Sequence, residues 1–171
     1  MSERHPIIAI TGSSGAGTST VTRTFQNIFR REEVTAAVIE GDSFHRFDRK
    51  SMKVRMAEEE AKGNRHFSHF GAEGSLFEDI EALFRQYATD GTGRCRKYLH
   101  NEEEAAPYGQ EPGTFTPWEA IPSGTDVLFY AGLHGAVKAD QVDIAKYPDL
   151  LIGVVPSINL EWIQKLIRDK T

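Results

Sequence analysis

Long hydrophobic runs are missing from this sequence: nothing approaches the roughly 20 consecutive apolar residues of a membrane-spanning helix, so no membrane partner is expected. Cysteine is nearly missing too. The single Cys95 excludes an internal disulfide, and no cysteine and histidine spacing resembles a zinc site. The first ten residues carry neither the apolar core nor the cleavage site of a signal peptide, which with the cysteine usage leads us to expect a cytoplasmic protein. Dense basic tracts are also lacking. Against 20 lysines and arginines stand 25 aspartates and glutamates, a balance that argues against a grip on nucleic-acid backbone and points to small-molecule partners. Internal repeats and low-complexity linkers are absent.

What is present reads as one α/β domain over residues 1–171, long enough for a real core and too short for two comfortable ones. Ile7 to Ile10 form a continuous apolar run ending in Thr11 and Gly12, the pattern of a strand buried in a parallel sheet. From Thr20 the apolar positions Val21, Phe25, Ile28 and Phe29 recur at helical spacing, with Arg30 and Arg31 near the C-terminal end. Ala36 to Glu40 is the next strand, closing on Gly41 and Asp42. Strand, loop, helix, strand is the βαβ unit of a parallel sheet. The charged stretch Asp48 to Lys62 predicts an exposed helix or a mobile segment over the site, and Leu76, Ile80, Leu83, Phe84 and Tyr87 a second long helix. Arg94 to Gly113 is polar and reads as a hairpin over a ligand. Val127 to Tyr130 and Leu150 to Val155 complete four buried strands, and Leu160 to Lys170 places Trp162, Ile163, Leu166 and Ile167 on one helical face.

Between the first strand and the first helix lies Gly12, Ser13, Ser14, Gly15, Ala16, Gly17, Thr18, Ser19 and Thr20. Glycines let the backbone curl so that successive N–H groups converge on phosphate oxygens, and the helix N-terminus adds partial positive charge. Ser19 stands where the G-x-x-x-x-G-K-[ST] pattern puts the hydroxyl that ligates magnesium. Thr18 stands where that pattern has lysine, so another cation must serve the β- and γ-phosphates, and Lys165 and Arg168 are the candidates. A dinucleotide fold also places glycines after its first strand, but here they run G-x-x-G-x-G rather than G-x-G-x-x-G, and three hydroxyl residues follow. Asp42 falls at the C-terminal end of the second strand, where open parallel sheets bind ligands. It could accept the proton of a phosphoryl acceptor, or orient that hydroxyl and a magnesium ion; a solvated loop aspartate or a helix cap is the structural alternative. His45, Arg46 and Arg49 would suit an anionic sugar phosphate.

Four separated blocks, Thr11 to Thr20, Glu40 to His45, Leu128 to Gly135 and Gly153 to Asp169, together resemble the bacterial phosphoribulokinases of the phosphoribulokinase and uridine kinase branch of P-loop kinases. The resemblance implies an α/β fold like the P-loop nucleoside triphosphate hydrolases, a parallel sheet with flanking helices. It implies ATP and Mg2+ as cofactors and a Calvin-cycle reaction, transfer of the γ-phosphate to the 1-hydroxyl of ribulose 5-phosphate. Asp42 would be the base, His45 and Arg49 would bind the sugar phosphate, Lys165, Arg168 and Asp169 would form a catalytic cluster, and Ser19 and Asp42 would hold the metal. Arg31 would match a position linked to NADH activation. Homo-oligomers are compatible with the resemblance.

Two departures stand out. The family continues beyond the length of this chain, so the C-terminal part of its fold is expected to be absent. The family also has a glutamate where Ala131 stands, so weakened activity is expected. The alternatives are another small-molecule kinase, acting on uridine or pantothenate, and a nucleotide-binding module without catalysis.

Overall fold

The computed structural model describes residues 5–13, 15–139, 141–156, 163, 166 and 167. Its elements follow one another as β1 (Ile7–Gly12), α1 (Thr18–Arg31), β2 (Ala36–Glu40), α2 (Arg49–Ala61), α3 (Phe77–Asp90), β3 (Arg94–Cys95), α4 (Glu102–Ala105), β4 (Glu119–Ala120), β5 (Val127–Ala131), β6 (Lys138–Ala139), β7 (Val142–Asp143) and β8 (Leu150–Val154). The four apolar runs form a single parallel sheet in the order β2-β5-β1-β8. The βαβ expectation holds with one addition: β2 is not the neighbour of β1, because β5 inserts between them. The chain therefore leaves β1 toward one side of the sheet and pairs β8 on the other, which opens a crevice at the C-terminal ends of the strands.

Alternation along each strand separates two faces. Ile7, Ala9, Ala37, Ile39, Leu128 and Tyr130 pack against Ile80, Leu83, Phe84 and Tyr87 of α3. Ile10, Val127 and Phe129 face the other way, toward Val21, Phe25 and Phe29 of α1. Aromatic edges lock both contacts, with Phe29 on Phe129 at 5.4 Å between centroids and Phe84 on Tyr130 at 5.3 Å. Each such side chain taken fully from water stabilises the fold by about 1.5–3 kcal/mol. Helix α1 begins at Thr18, two residues before the apolar pattern starts, because Gly17 in the left-handed region ends the loop and hands the chain to the helix. Ile28 remains exposed, off the packed stripe.

The charged segment is an ordered helix, α2. Asp48 caps it by accepting from the Ser51 N–H at 2.6 Å, which draws the Asp48 carboxyl below its usual range, and Arg55–Glu58 and Glu59–Lys62 pairs run along its surface. Only Met52 of this helix is buried. The polar stretch after α3 is a long excursion held by β3 against β4 and, further out, by Leu99, which donates its N–H to the Thr114 carbonyl at 2.9 Å and accepts from the Gly113 N–H on its own carbonyl. It stands beside the sheet as one wall of the crevice. No helix among the described residues is long and apolar enough to cross a membrane. The helical face expected at Leu160 to Lys170 lies largely outside the described residues.

Candidate active site

At the C-terminal edge of the sheet an open cleft of about 1090 Å³ runs between the loop after β1, the turn after β2, the end of β5 and the wall formed by residues 95–108. Gly12, Ser13, Gly15, Gly17, Thr18, Ser19 and Thr20 line it. Ala16 is buried instead, its N–H closing the loop on the Ser13 carbonyl at 3.0 Å, and Ser14 lies outside the described residues. Gly15 and Gly17 both have positive φ, 90° and 98°, and a Cβ on Gly17 would project into open space. Gly12 is small for a different reason: a Cβ there would lie 2.9 Å from both the Thr18 methyl and the Val154 carbonyl oxygen. No side chain caps the N-terminus of α1, and no acidic residue occupies its first turn. The N–H groups of Gly15, Gly17, Thr18 and Ser19 find no acceptor among the described residues, so they are available to an anion at the positive end of the helix.

Asp42 faces this loop from the opposite lip. It sits in a tight 3-10 turn, Gly41–Phe44, whose start is fixed by a backbone contact across the sheet: a Cβ on Gly41 would lie 2.7 Å from the Gly132 Cα, and one on Gly132 would lie 2.6 Å from the Gly41 Cα. The Tyr130 ring fills the space beneath both glycines. Half-exposed, the carboxylate has His45 Nε2 at 3.6 Å from one oxygen and His100 Nε2 at 3.7 Å from the other. Sequence reading named His45 but missed the company it keeps. His69 packs against it with the rings tilted, at 4.6 Å between centroids, and His134, buried, reaches the Phe70 carbonyl with Nε2 at 3.1 Å. Burial pushes His45 down to about 4, against the opposing pull of Asp42, and it lowers His69 and His134 as well. His45 is thus neutral near pH 7, a hydrogen-bonding group rather than a cation.

The arginines offered by the sequence are engaged with main chain. Arg46 donates to the carbonyls of Glu73 and Ser75, and Arg49 donates to the carbonyl of His100 at 2.9 Å without lining the cleft. Arg23, Arg96 and Lys97 do line it, with the Lys97 ammonium 3.1 Å from the Tyr108 hydroxyl. Only their position in the fold marks them, since no local sequence pattern distinguishes them from other surface cations. Arg31, at the far end of α1, is paired with Glu32 at 2.7 Å. Lys165, Arg168 and Asp169 lie outside the described residues. Ala131 ends β5 on the cleft floor, between Ile10 and Glu40 in register, and presents a methyl group there. No group of three or more histidine, cysteine or carboxylate side chains among the described residues forms a preassembled metal site. Ser19 and Asp42 offer hard oxygens on facing sides of the cleft, which fits a magnesium ion that keeps most of its ligands from phosphate and water.

A sequence profile of the Phosphoribulokinase / Uridine kinase family matches residues 7–171. Over 170 residues the chain is 71% identical to the plasmid-encoded phosphoribulokinase of Cupriavidus necator, covering 99% of this chain and 58% of the relative. Among solved structures, phosphoribulokinase from Rhodobacter spheroides superposes with a TM-score of 0.86 at 51% identity, covering 98% of this chain and 57% of that one. A possible uridine kinase from Bacillus stearothermophilus reaches 0.61 at 14% identity, which speaks for the fold alone. The chain spans about 58% of the length of the curated relatives it matches. With a profile match over residues 7–171, this degree of identity, and a glycine-rich loop and an acid lining one cleft at the sheet edge, the chain belongs to the Phosphoribulokinase / Uridine kinase family.

Proposed function

We propose that this chain carries the nucleotide-binding and acid-bearing part of a phosphoribulokinase acting in the cytoplasm, transferring the γ-phosphate of ATP to the 1-hydroxyl of ribulose 5-phosphate. The observation that supports the reading most directly is the placement of Asp42 across one cleft from a glycine loop whose Gly15, Gly17, Thr18 and Ser19 N–H groups find no acceptor among the described residues. The loop holds the phosphates through backbone dipoles, and Asp42 accepts the hydroxyl proton as the sugar oxygen attacks the γ-phosphorus. That oxygen–phosphorus bond forms as the bond to the β-bridging oxygen breaks, giving ribulose 1,5-bisphosphate and ADP. Neutral His45, and His100 on the other side of the carboxylate, orient the acceptor through hydrogen bonds. Arg49 serves the sugar phosphate through the wall it secures at His100. Lys165, Arg168 and Asp169 act at the transferring phosphate in this reading. Ser19 and Asp42 would hold Mg2+, which would supply neutralisation of the charge that develops on the transferring phosphate.

Ala131 favours a second reading, a nucleotide-binding module with little or no turnover. Calorimetric titration with MgATP and ribulose 5-phosphate, followed by a coupled turnover assay, separates the two. The kinase reading expects both ligands to bind and Asp42→Asn to retain nucleotide while losing turnover by a factor on the order of 10² to 10⁴. Binding of MgATP without turnover of any sugar phosphate selects the module. A preference for uridine over ribulose 5-phosphate would assign the chain to another kinase of the family.

A further inference from the structure

The turn that presents Asp42 ends on two carbonyls that its own backbone leaves open. Within the turn the His45 N–H bonds the Asp42 carbonyl at 3.2 Å, and the Phe44 carbonyl accepts from the Leu76 N–H at 2.8 Å. The carbonyls of Ser43 and His45 are instead met by a single side chain from the opposite wall. Arg96 donates Nε to the Ser43 oxygen at 2.9 Å and Nη2 to the His45 oxygen at 2.6 Å. Its guanidinium lies between two rings, 3.7 Å from the centroid of Phe115 and 4.8 Å from that of Trp118, and Trp118 packs in turn on Phe44 at 5.6 Å. A planar, forked cation stacked in this way has its orientation set before it reaches the carbonyls.

We infer that Arg96 is a positioning residue for Asp42, clamping the turn from its C-terminal side while the Gly41–Gly132 contact fixes it from the other. The inference rests on the kinase reading of this cleft. The geometry makes the clamp selective. Its two acceptors follow Asp42 by one and three residues, so loosening them rotates the carboxylate relative to an acceptor hydroxyl. Among the described residues the phosphate loop receives no hydrogen bond from Arg96, so it keeps its shape when the clamp is removed. Burial works against the charge of this guanidinium, which accords with a group kept for its shape as well as its charge.

The test is a double-mutant cycle in the intact chain. Arg96→Met is expected to lower kcat by about 10- to 100-fold with KM for MgATP unchanged, and Arg96→Lys, which keeps a donor, to recover part of the loss. In an Asp42→Asn background the same Arg96→Met change is expected to cost less than about twofold, because the group it positions is already gone. Equal losses in both backgrounds, or a rise in KM for MgATP with kcat preserved, would overturn the inference. Hydrogen exchange supplies a readout independent of turnover. The His45 amide, bonded to the Asp42 carbonyl, should exchange at least about tenfold faster in Arg96→Lys and Arg96→Met while amides of β1 and β5 are unchanged. Unchanged exchange at His45, or acceleration spread evenly over the sheet, would also overturn it. A wild-type chain that turns over no acceptor sinks the kinase reading, and the exchange rates alone then decide whether Arg96 clamps the turn.

Discussion

Acidification should destabilise this fold through His45, and the size of the effect follows from its surroundings. Its side chain is only 13% exposed, packed at a tilt against His69, and burial holds its pKa at about 4 against an ordinary 6.5, even with Asp42 pulling the other way. The unfolded chain therefore binds a proton that the folded chain refuses. Stability is unaffected above about pH 6.5, falls as pH drops through the window from 6.5 to about 4, and levels off below it. Between about pH 7.5 and 4.5 the His45 contribution amounts to a loss of about 2.5 kcal/mol. Lowered values at His69 and His134 act in the same direction. Urea titrations of wild type and His45→Gln across this range isolate the term. The variant is less stable at neutral pH for want of the ring contact, but its stability should decline by about 2.5 kcal/mol less on acidification. An identical decline in both proteins, or a His45 ring that titrates near 6.5 by NMR, would refute the reasoning.

Two further perturbations probe the cleft. Gly17→Val should abolish detectable MgATP binding, because the side chain enters open space above the loop, and the positive φ should cost about 1–3 kcal/mol of stability, seen as a lower Tm; calorimetry showing wild-type affinity would remove the loop from nucleotide binding. Ala131→Glu should raise turnover by about a hundredfold with little change in ATP affinity, since a carboxylate there helps hold the metal in the transition state more than in the ground state. A turnover assay on both forms, each joined to the C-terminal part of a relative, tests this, and equal rates would refute it.

How much of this was legible beforehand depended on the range of the signal. The βαβ start was readable because its cues are local: an apolar run, a glycine cluster and a helical stripe within the first forty residues. The beginning of α1 was missed by two residues, since Thr18 and Ser19 carry no apolar periodicity and owe their helical state to the preceding Gly17. The insertion of β5 between β1 and β2 was illegible, because the same apolar run satisfies any internal position in a parallel sheet. The site divided in the same way. Asp42 could be placed from the strand it ends, whereas His69 and His134 join His45 only after segments 24 and 89 residues downstream fold back upon it. Arg96 was lost among the polar residues of its stretch, for its role comes from two carbonyls and two rings that only tertiary structure assembles. Arg49 was named from its type alone, and the bond from its Nη2 to the His100 carbonyl was equally out of reach of local pattern.

The close approach of Gly41 and Gly132 makes the two sides of the cleft mechanically unlike. Where two backbones touch with no side chain between them, there is no rotamer to change and no soft packing to compress, so the floor that carries Asp42 and Ala131 behaves as a stiff plate. The wall opposite is attached through side-chain hydrogen bonds from Arg49 and Arg96, a backbone hydrogen bond from Arg49 to Gly113 and short strand pairings, which yield to smaller forces. Any opening and closing around a ligand must then be borne by the wall while the floor keeps its dimensions. Residues that tune how fast ligands enter and leave should map to the 94–121 excursion, and residues that set the distance between loop and acid should map to the strand ends.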